Sequence, residues 1–411
     1  MIKDTSPPHW AYLAFVDLRE HGAPRTHVLE FSRSLTRYAR VTVVTPTPRD
    51  LVKAEEFDYA QIVYPRVGNP RRIWNRLFAT IAAAIQLLKL HRRKPMDILY
   101  VRDSSLAIPA LIWAKYASVK TVLEVNGSVR LESLLYKPVH SDWQSWCWRL
   151  RVSIVLALHR YCYHIADKIV AVTDGLRQEL VSEYGVSPEM IGVFANGANV
   201  NMFYPQDPEE CRQKLNLSPN ARYIGFVGNL FKWHGVDDLI VAFSAIAAQY
   251  EDTKLLIVGE GTETRRLKSL VQQLGLTERV DFVGRVPYNA VVLYINACEF
   301  CVGPFDGGFR NRTVGFSALK IYEYLACGKP VLASDLPDLT FIADEKVGRL
   351  YPAGNIDALA ENLKVMLSLP HHEIRAMGMR ARRLAVERFS WDATVKRVFD
   401  FIKSERVNQD S

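Results

Sequence analysis

Ser317–Ser334 reads SALKIYEYLACGKPVLAS, an order of residues that dictates a helix, a left-handed stop and then a strand. A polar start, Ser317 with Lys320 and Glu323, leads into an apolar run that ends at Cys327-Gly328. Gly328 suits the left-handed residue after a helix end, Pro330 keeps the helix from resuming, and Val331–Ser334 is β-rich. Upstream, Asp306-Gly307-Gly308 through Gly315 is a Gly-rich loop. A helix reached from such a loop turns its first N–H groups, here those of Ser317, Ala318 and Leu319, toward whatever lies in front. With the positive end of the helix dipole behind them, they suit an anion such as a diphosphate. Glu323 falls on the turn where a carboxylate can accept hydrogen bonds from a ribose.

Outward from this segment, short β-rich runs alternate with helical stretches, the mark of parallel α/β sheets. In the first half the strands are expected at Tyr12–Val16, Val41–Thr45, Ile98–Val101, Thr121–Val125 and Ile169–Val172. Helices are expected at Thr26–Tyr38, Ile73–Lys89, Leu106–Tyr116 and Trp143–His164. The pattern restarts at Tyr223–Val227 and continues through Leu255–Val258, Val280–Val283, Phe300–Val302 and Val331–Ala333. A Pro- and Asn-rich join, Asn196–Pro208, separates the two runs. The expectation is two Rossmann-like domains, 1–203 and 204–389, with an amphipathic terminal helix in 390–411. Ligands of such sheets sit at the carboxyl ends of the strands, which puts the site in a cleft between facing domains.

The chain of 411 residues, 49% apolar and 23% charged, is long enough for two cores and has a globular composition. Leu77–Leu90, its longest mostly apolar stretch, is broken by Gln86 and Lys89 and is shorter than the ~20 residues of a membrane span. MIKDTSPPHW has no apolar core of a secretory signal. Of six Cys only Cys298 and Cys301 are close, in an apolar run, and no second pair or nearby His completes a metal set. A packed core pair in a reducing cytoplasm is expected. Residues 1–200 hold 26 Lys+Arg against 18 Asp+Glu, whereas 201–411 hold 26 of each. The excess gathers at Arg71, Arg72 and Arg76, at Lys89, Arg92, Arg93 and Lys94, and at Arg149, Arg151 and Arg160. Such an asymmetry points to an anionic partner, a membrane surface or a polyanion, and helices mixing these residues with Trp146, Trp148 and aliphatic residues suit an anionic membrane surface. The alternative is two packed helices with solvated basic edges.

The Ser317–Ser334 segment resembles the donor-site signature of the family 4 retaining glycosyltransferases, nucleotide-sugar enzymes of the GT-B fold. That signature has two Glu eight positions apart, the second followed by a small residue, Gly, any residue, then Pro-Val. Glu323 matches the second. Gly315 stands at the first, so the chain is similar to a variant subgroup with Ser-x-Leu-Lys, here Ser317-Ala318-Leu319-Lys320. The resemblance extends over most of the chain. It implies donor-binding roles for Gly22 before the first helix and for the loop GFVGNLFKWHG, where Asn229 and His234 occupy positions often held by Arg and Lys. Lys232 is then the loop's cation. It also implies donor contacts for Gly259, for Arg285 and Val286 through the backbone, and a terminal helix that packs back on the first domain.

Arg310 and Arg312 suit a diphosphate clamp, and Asp306 is a candidate for the sugar hydroxyls that Gly315 cannot reach. Glu124 and Asn126 at one strand end, and Arg102 at its neighbour, fall where ligands meet α/β sheets, Arg102 and Asn126 on the acceptor side. The family often places a catalytic His near here, and none is adjacent in sequence. Each of these residues also has a plain reading, as turn glycine, solvated cation or helix cap.

The expected reaction moves a sugar from a nucleotide diphosphate to an acceptor hydroxyl with retention, the acceptor being a lipid-linked or saccharide precursor at the inner membrane face. Glu323, Lys320, Lys232 and Glu124 are the expected catalytic set. The resemblance implies no metal, no cofactor beyond the donor co-substrate and no nucleic-acid partner. The rivals are a non-catalytic GT-B subunit that binds nucleotide sugar and a GT-B epimerase.

Overall fold

The computed structural model describes residues 7–18, 22–45, 60–63, 73–135 and 142–404. The chain forms two compact units, 1–196 with 394–411, and 197–393. The join was expected at 203/204. Residues 197–203 belong with the second unit because that unit's own groups hold them. Ala198 pairs with Ser390, and the Arg382 guanidinium donates to the carbonyls of Val200 and Phe203 at 3.1 and 2.8 Å.

Unit 1 is built on a seven-stranded parallel sheet in the order β3-β2-β1-β4-β5-β6-β7. Its strands are β1 (His9–Leu13), β2 (Arg40–Val44), β3 (Gln61–Val63), β4 (Ile98–Arg102), β5 (Lys120–Val125), β6 (Lys168–Ala171) and β7 (Ile191–Val193). The first strand starts three residues earlier than the apolar run suggested, since His9 pairs with Arg40 and the register continues to Leu13–Val44. Every residue of β1 is buried. Trp10, Tyr12, Phe31 and Tyr100 stack in its core, each such burial worth about 2 kcal/mol. The terminal helix Trp391–Lys403 contributes Phe399, stacked on Trp10 at 5.7 Å, as the resemblance implied.

Unit 2 has a six-stranded parallel sheet, β10-β9-β8-β11-β12-β13. The strands are β8 (Arg222–Val227), β9 (Thr253–Val258), β10 (Val280–Gly284), β11 (Phe300–Gly303), β12 (Val331–Asp335) and β13 (Gly348–Pro352). The opening segment folds as read: helix Leu319–Ala326, Gly328 at φ +67°, then β12. One expectation fails, because the Gly-rich stretch 303–313 contains a short helix, Phe309–Thr313. Asn311 explains it: its side-chain amide donates to the Asp306 carboxylate (2.8 Å) and carbonyl (3.1 Å), folding the loop on itself.

In each sheet the strand order reverses once, between β1 and β4 and between β8 and β11. Loops leave those strand pairs in opposite directions and open a crevice, which is where parallel sheets bind ligands.

Candidate functional site

At the crevice of unit 1 lies a cavity of about 410 Å³, lined by Phe15, Val16, Asp17, Gly22, Pro24, Arg25, Arg102, Asp103 and Ser104. Gly22, at φ +154°, precedes the helix Ala23–Leu35. Beneath the cavity the Glu124 carboxylate is buried and taken. His27 Nε2 lies against Oε1, and Tyr12 donates to Oε2 at 3.0 Å. Arg102 Nη1 stands 3.9 Å from Oε2 and has no hydrogen bond of its own. Burial pushes Glu124 up, but His27, Arg102 and Tyr12 outweigh it and hold the carboxyl below its usual range. Burial pulls the His27 pKa below its ordinary value, and the Glu124 charge beside it opposes that shift.

Glu124 was expected to be catalytic; it is 1% exposed, and its carboxylate lies against His27, Tyr12 and Arg102. A histidine does lie against it: His27, 97 positions away in sequence. Its signal was its place one turn before Phe31 on the buried face of that helix, ring centroids 5.7 Å apart. Asn126 is half-buried, and its Nδ2 has no hydrogen-bond partner. Asp103 is fixed by His159 Nδ1 (3.0 Å) and the Tyr163 hydroxyl (2.9 Å).

At the crevice of unit 2, the loop after β8 and the loop after β11 are tied together by Asp306 N–H donating to the Trp233 carbonyl at 3.2 Å. A Cβ at Gly235 would land on the Pro304 carbonyl oxygen, so only glycine permits this approach. Between the loops Trp233, His234, Phe305 and Phe316 form an aromatic cluster, with the Arg310 guanidinium 5.1 Å over Trp233.

Lys320 rises into this cluster from the first turn of the helix Leu319–Ala326. Its Nζ is buried without a hydrogen bond, 4.3 Å over the Phe226 ring and 5.3 Å from Phe305. Desolvation pulls its pKa from 10.5 down to about 7, with Glu323 as the counteracting charge. The helix opens at Ala318 with no side-chain cap and no acid in its first turn, and Ser317 Oγ reaches the Tyr322 hydroxyl instead (3.4 Å). The helix Val236–Ile246 differs, since Asp237 and Asp238 already occupy its first turn. Of the two, the Leu319 helix is the one open to an anion.

The other expected site residues have partners of their own or lie exposed. His234 cannot replace a cation. Burial, with Lys320 and Arg310 nearby, drives its pKa to about 2, and Nδ1–H donates to the Asn229 carbonyl. Nε2 therefore carries a lone pair, which repels an anion. Lys232 is exposed and paired with Asp237, which Arg266 also meets at 2.8 Å. Gly259 packs backbone on backbone, a Cβ there falling on the Gly228 carbonyl. Glu323, 8% exposed, accepts from the Tyr288 hydroxyl at 2.9 Å, a partner the sequence did not reveal. Arg285 is exposed and Val286 half-buried in the loop after β10, and exposed Arg312 donates to the Gly307 carbonyl at 2.6 Å. Gly315, at φ +72°, has no room for a side chain, because a Cβ would fall on the Asp338 carboxylate that receives Phe316 N–H (3.0 Å).

Comparison with known proteins matches both units. Residues 25–201 match the family described as Glycosyltransferase Family 4, and 207–384 that described as Glycosyl transferases group 1. A D-inositol 3-phosphate glycosyltransferase of Segniliparus rotundus is 28% identical over 234 residues, 56% of this chain and 50% of that protein. The alpha-monoglucosyldiacylglycerol synthase of Streptococcus pneumoniae is 26% identical over 258 residues, 61% and 55% of the two chains. The chain thus spans about half the length of the curated relatives it matches. The Anabaena protein Alr3699/HepE, solved in complex with UDP, superposes with a TM-score of 0.70 at 17% identity, over 97% of this chain and 100% of that one. The fold is that of the GT-B glycosyltransferases.

Proposed function

We infer, from a chain whose two halves both match glycosyltransferase families, that it transfers a sugar from a nucleotide diphosphate to an acceptor hydroxyl. One observation carries this reading. The crevice of unit 2 gathers an uncapped helix start, a buried lysine with no partner and Arg310 around one opening. Such a group stabilises charge as it grows on a departing diphosphate, each well-placed donor contributing about 3 kcal/mol. Glu323, fixed by Tyr288, orients the donor ribose from the next turn.

In the retaining course the bond from the acceptor oxygen to the anomeric carbon forms on the face from which the diphosphate leaves. The acceptor proton passes to a phosphate oxygen of the leaving group, and no protein nucleophile is required. Unit 1 supplies the acceptor side, with Arg102 and Asp103 lining its cavity.

A lipid-linked acceptor at an anionic membrane fits the surface of unit 1. Along the helix Asp142–Ile165, Trp146, Leu150, Ile154, Leu158 and Tyr161 are all exposed at helical spacing, with Arg149, Arg151 and Arg160 exposed beside them. Arg71 and Arg72 lie outside the described residues. No described helix is long and apolar enough to cross a membrane. The curated relatives are named for an inositol phosphate and for a glucosyldiacylglycerol, and the solved relative for UDP.

A non-catalytic subunit is favoured by one feature, the absence of space for a carboxylate at Gly315. Turnover decides between the readings. Purified protein should be stabilised by one nucleoside diphosphate of UDP, GDP and ADP, and should release that diphosphate from its sugar adduct when acceptor lipid extract is added. Nucleotide binding with no release under any acceptor would leave the subunit reading.

A further inference from the structure

The space beside Gly315 is filled by a carboxylate that a different element delivers. Gly315 follows the short helix Phe309–Thr313, and its N–H donates to the Arg310 carbonyl at 3.0 Å, which holds its backbone left-handed at φ +72°. A Cβ built there would fall on Asp338 Oδ2. Asp338 belongs to the turn Pro337–Leu339, directly after β12, at the end of the sheet from which the loops after β8 and β11 also leave. Buried Leu336 and Leu339 anchor that turn, Leu339 N–H donating to the Leu336 carbonyl at 2.9 Å. Asp338 itself is half-buried and accepts the Phe316 N–H at 3.0 Å. The Phe316 ring packs 4.4 Å from Phe305 in the aromatic cluster of the crevice, three residues before the helix Leu319–Ala326 begins.

A carboxylate beside a site for anions repels them, so Asp338 does not serve a phosphate. Ionised, it offers about four acceptor positions, of which the Phe316 N–H uses one. Hydroxyl groups are the uncharged donors that suit the others, and a sugar presents them in adjacent pairs. Such charge-assisted O–H bonds to a carboxylate are roughly twice as strong as neutral ones. Two other carboxylates of this crevice are drawn into its own framework. Asp306 Oδ1 accepts from Gly308 N–H at 3.2 Å and from the Asn311 amide at 2.8 Å, which folds it into its loop. Glu323 accepts from the Tyr288 hydroxyl on the next turn of the helix.

We propose that Asp338 is the sugar-selecting residue of this crevice, accepting hydrogen bonds from hydroxyls of the sugar carried on the diphosphate. Gly315 and Asp338 work as a pair: glycine at 315 keeps the space clear, and the turn after β12 fills it with a carboxylate. The inference rests on the donor reading given above and adds a residue that distinguishes one sugar from another. It also answers the feature that favoured a non-catalytic subunit, because the place closed to a side chain at 315 does hold a carboxylate.

The test is isothermal titration calorimetry of the full chain with UDP, GDP and ADP, and with UDP-glucose, UDP-galactose, GDP-mannose and ADP-glucose. Asp338→Asn keeps an acceptor for the Phe316 N–H, so it should leave the free diphosphate bound within about twofold of the parent. The sugar adduct of that diphosphate should bind about tenfold more weakly, with a smaller preference between sugars on one nucleotide. Gly315→Asp is a backbone exchange that aspartate tolerates, yet it should also weaken the adduct, because two carboxylates then compete for one space. Adding Asp338→Gly to it should recover adduct binding, since the carboxylate is then supplied from 315. An unchanged circular dichroism melting curve separates each loss from misfolding. Equal change for diphosphate and adduct in Asp338→Asn, no change in either, or a Gly315→Asp loss that persists in the double variant overturns the proposal and leaves the donor reading standing. Failure of every diphosphate and adduct to bind the parent overturns the donor reading and this assignment with it.

Discussion

Lys320 should cost the protein stability in the absence of ligand, and replacing it should return that stability in a pH-dependent way. An unfolded lysine titrates at 10.5 and the folded one at about 7. For a base with a lowered folded pKa, the unfolded chain binds more protons between those two values, so native stability rises with pH across that window. The linkage integral gives a cost of roughly 4 kcal/mol at pH 7 and roughly 2 kcal/mol at pH 9, disappearing above the unfolded value. Methionine keeps the length of the side chain and its contacts with Phe226 and Phe305 while removing the titrating group. Lys320→Met should therefore be more stable than the parent by about these amounts, measured by urea denaturation followed by circular dichroism at pH 7 and pH 9. The same variant should bind donor worse, an opposition between stability and function that a merely structural lysine would not produce. A variant less stable than the parent at pH 7, or a difference that does not shrink between pH 7 and 9, would show that folding does not lower the lysine's pKa.

Glu323→Gln should lose most turnover with little change in melting temperature, since the amide oxygen still accepts from Tyr288; full activity in the purified variant removes Glu323 from the site. Glu124→Ala should destabilise unit 1 by about 3–5 kcal/mol, because His27, Tyr12 and Arg102 lose their shared acceptor. Its carboxyl is held low, so the contribution it makes is present above the usual carboxylate range and is lost as pH falls through the folded value; a parent whose stability is flat between pH 6 and 3 contradicts this. The chain should co-sediment with anionic vesicles at low salt, leave them at high salt and ignore neutral ones. Changing Leu150, Ile154 and Leu158 to Ser should abolish the association, while equal binding to neutral vesicles would point to a different use of that face.

Much of the fold was legible because buried parallel strands declare themselves as short apolar runs between helices. The strands that escaped sequence analysis are those for which burial is incomplete or length is minimal. Ile191–Val193 is three residues at a sheet edge, and Gly348–Pro352 carries Gly, Arg and Pro on an edge with only Tyr351 buried. Gln61–Val63, three residues at the opposite edge, has the same difficulty. The donor-side helix was readable from its spacing, its glycine stop and its proline. Its charge state was not. His234 and Lys320 look like two loop and helix cations in sequence, and only their burial shows that His234 is neutral and that the lysine's pKa is pulled down to about 7. The His27–Glu124 contact joins residues whose separation in sequence has no periodic meaning. A sequence reading can say that Glu124 ends a strand, but not which side chain comes down on it from another element.

The two crevices answer the same topological reversal with opposite electrostatics, and that contrast bears on which one awaits a ligand. In unit 1 a buried carboxylate is met by the Tyr12 hydroxyl, the His27 ring and a nearby guanidinium, a set that holds its charge without help from outside. Its local balance is closed, and the polar atoms left over, Arg102 Nη1 and Asn126 Nδ2, are donors at its margin. In unit 2 the buried group is a base with no acceptor, flanked by Arg310, by an uncapped helix start and by a histidine that cannot share the load. A chain that needed only to fold would do better with a methionine at 320 and a polar cap at 318. Keeping a destabilising buried amine at this helix start is intelligible if something negative meets it, and the cost of burying it is then the source of discrimination. An uncharged nucleoside would gain nothing from the slot, whereas a diphosphate would gain a charge-assisted bond of about 2 kcal/mol in a place where water does not compete.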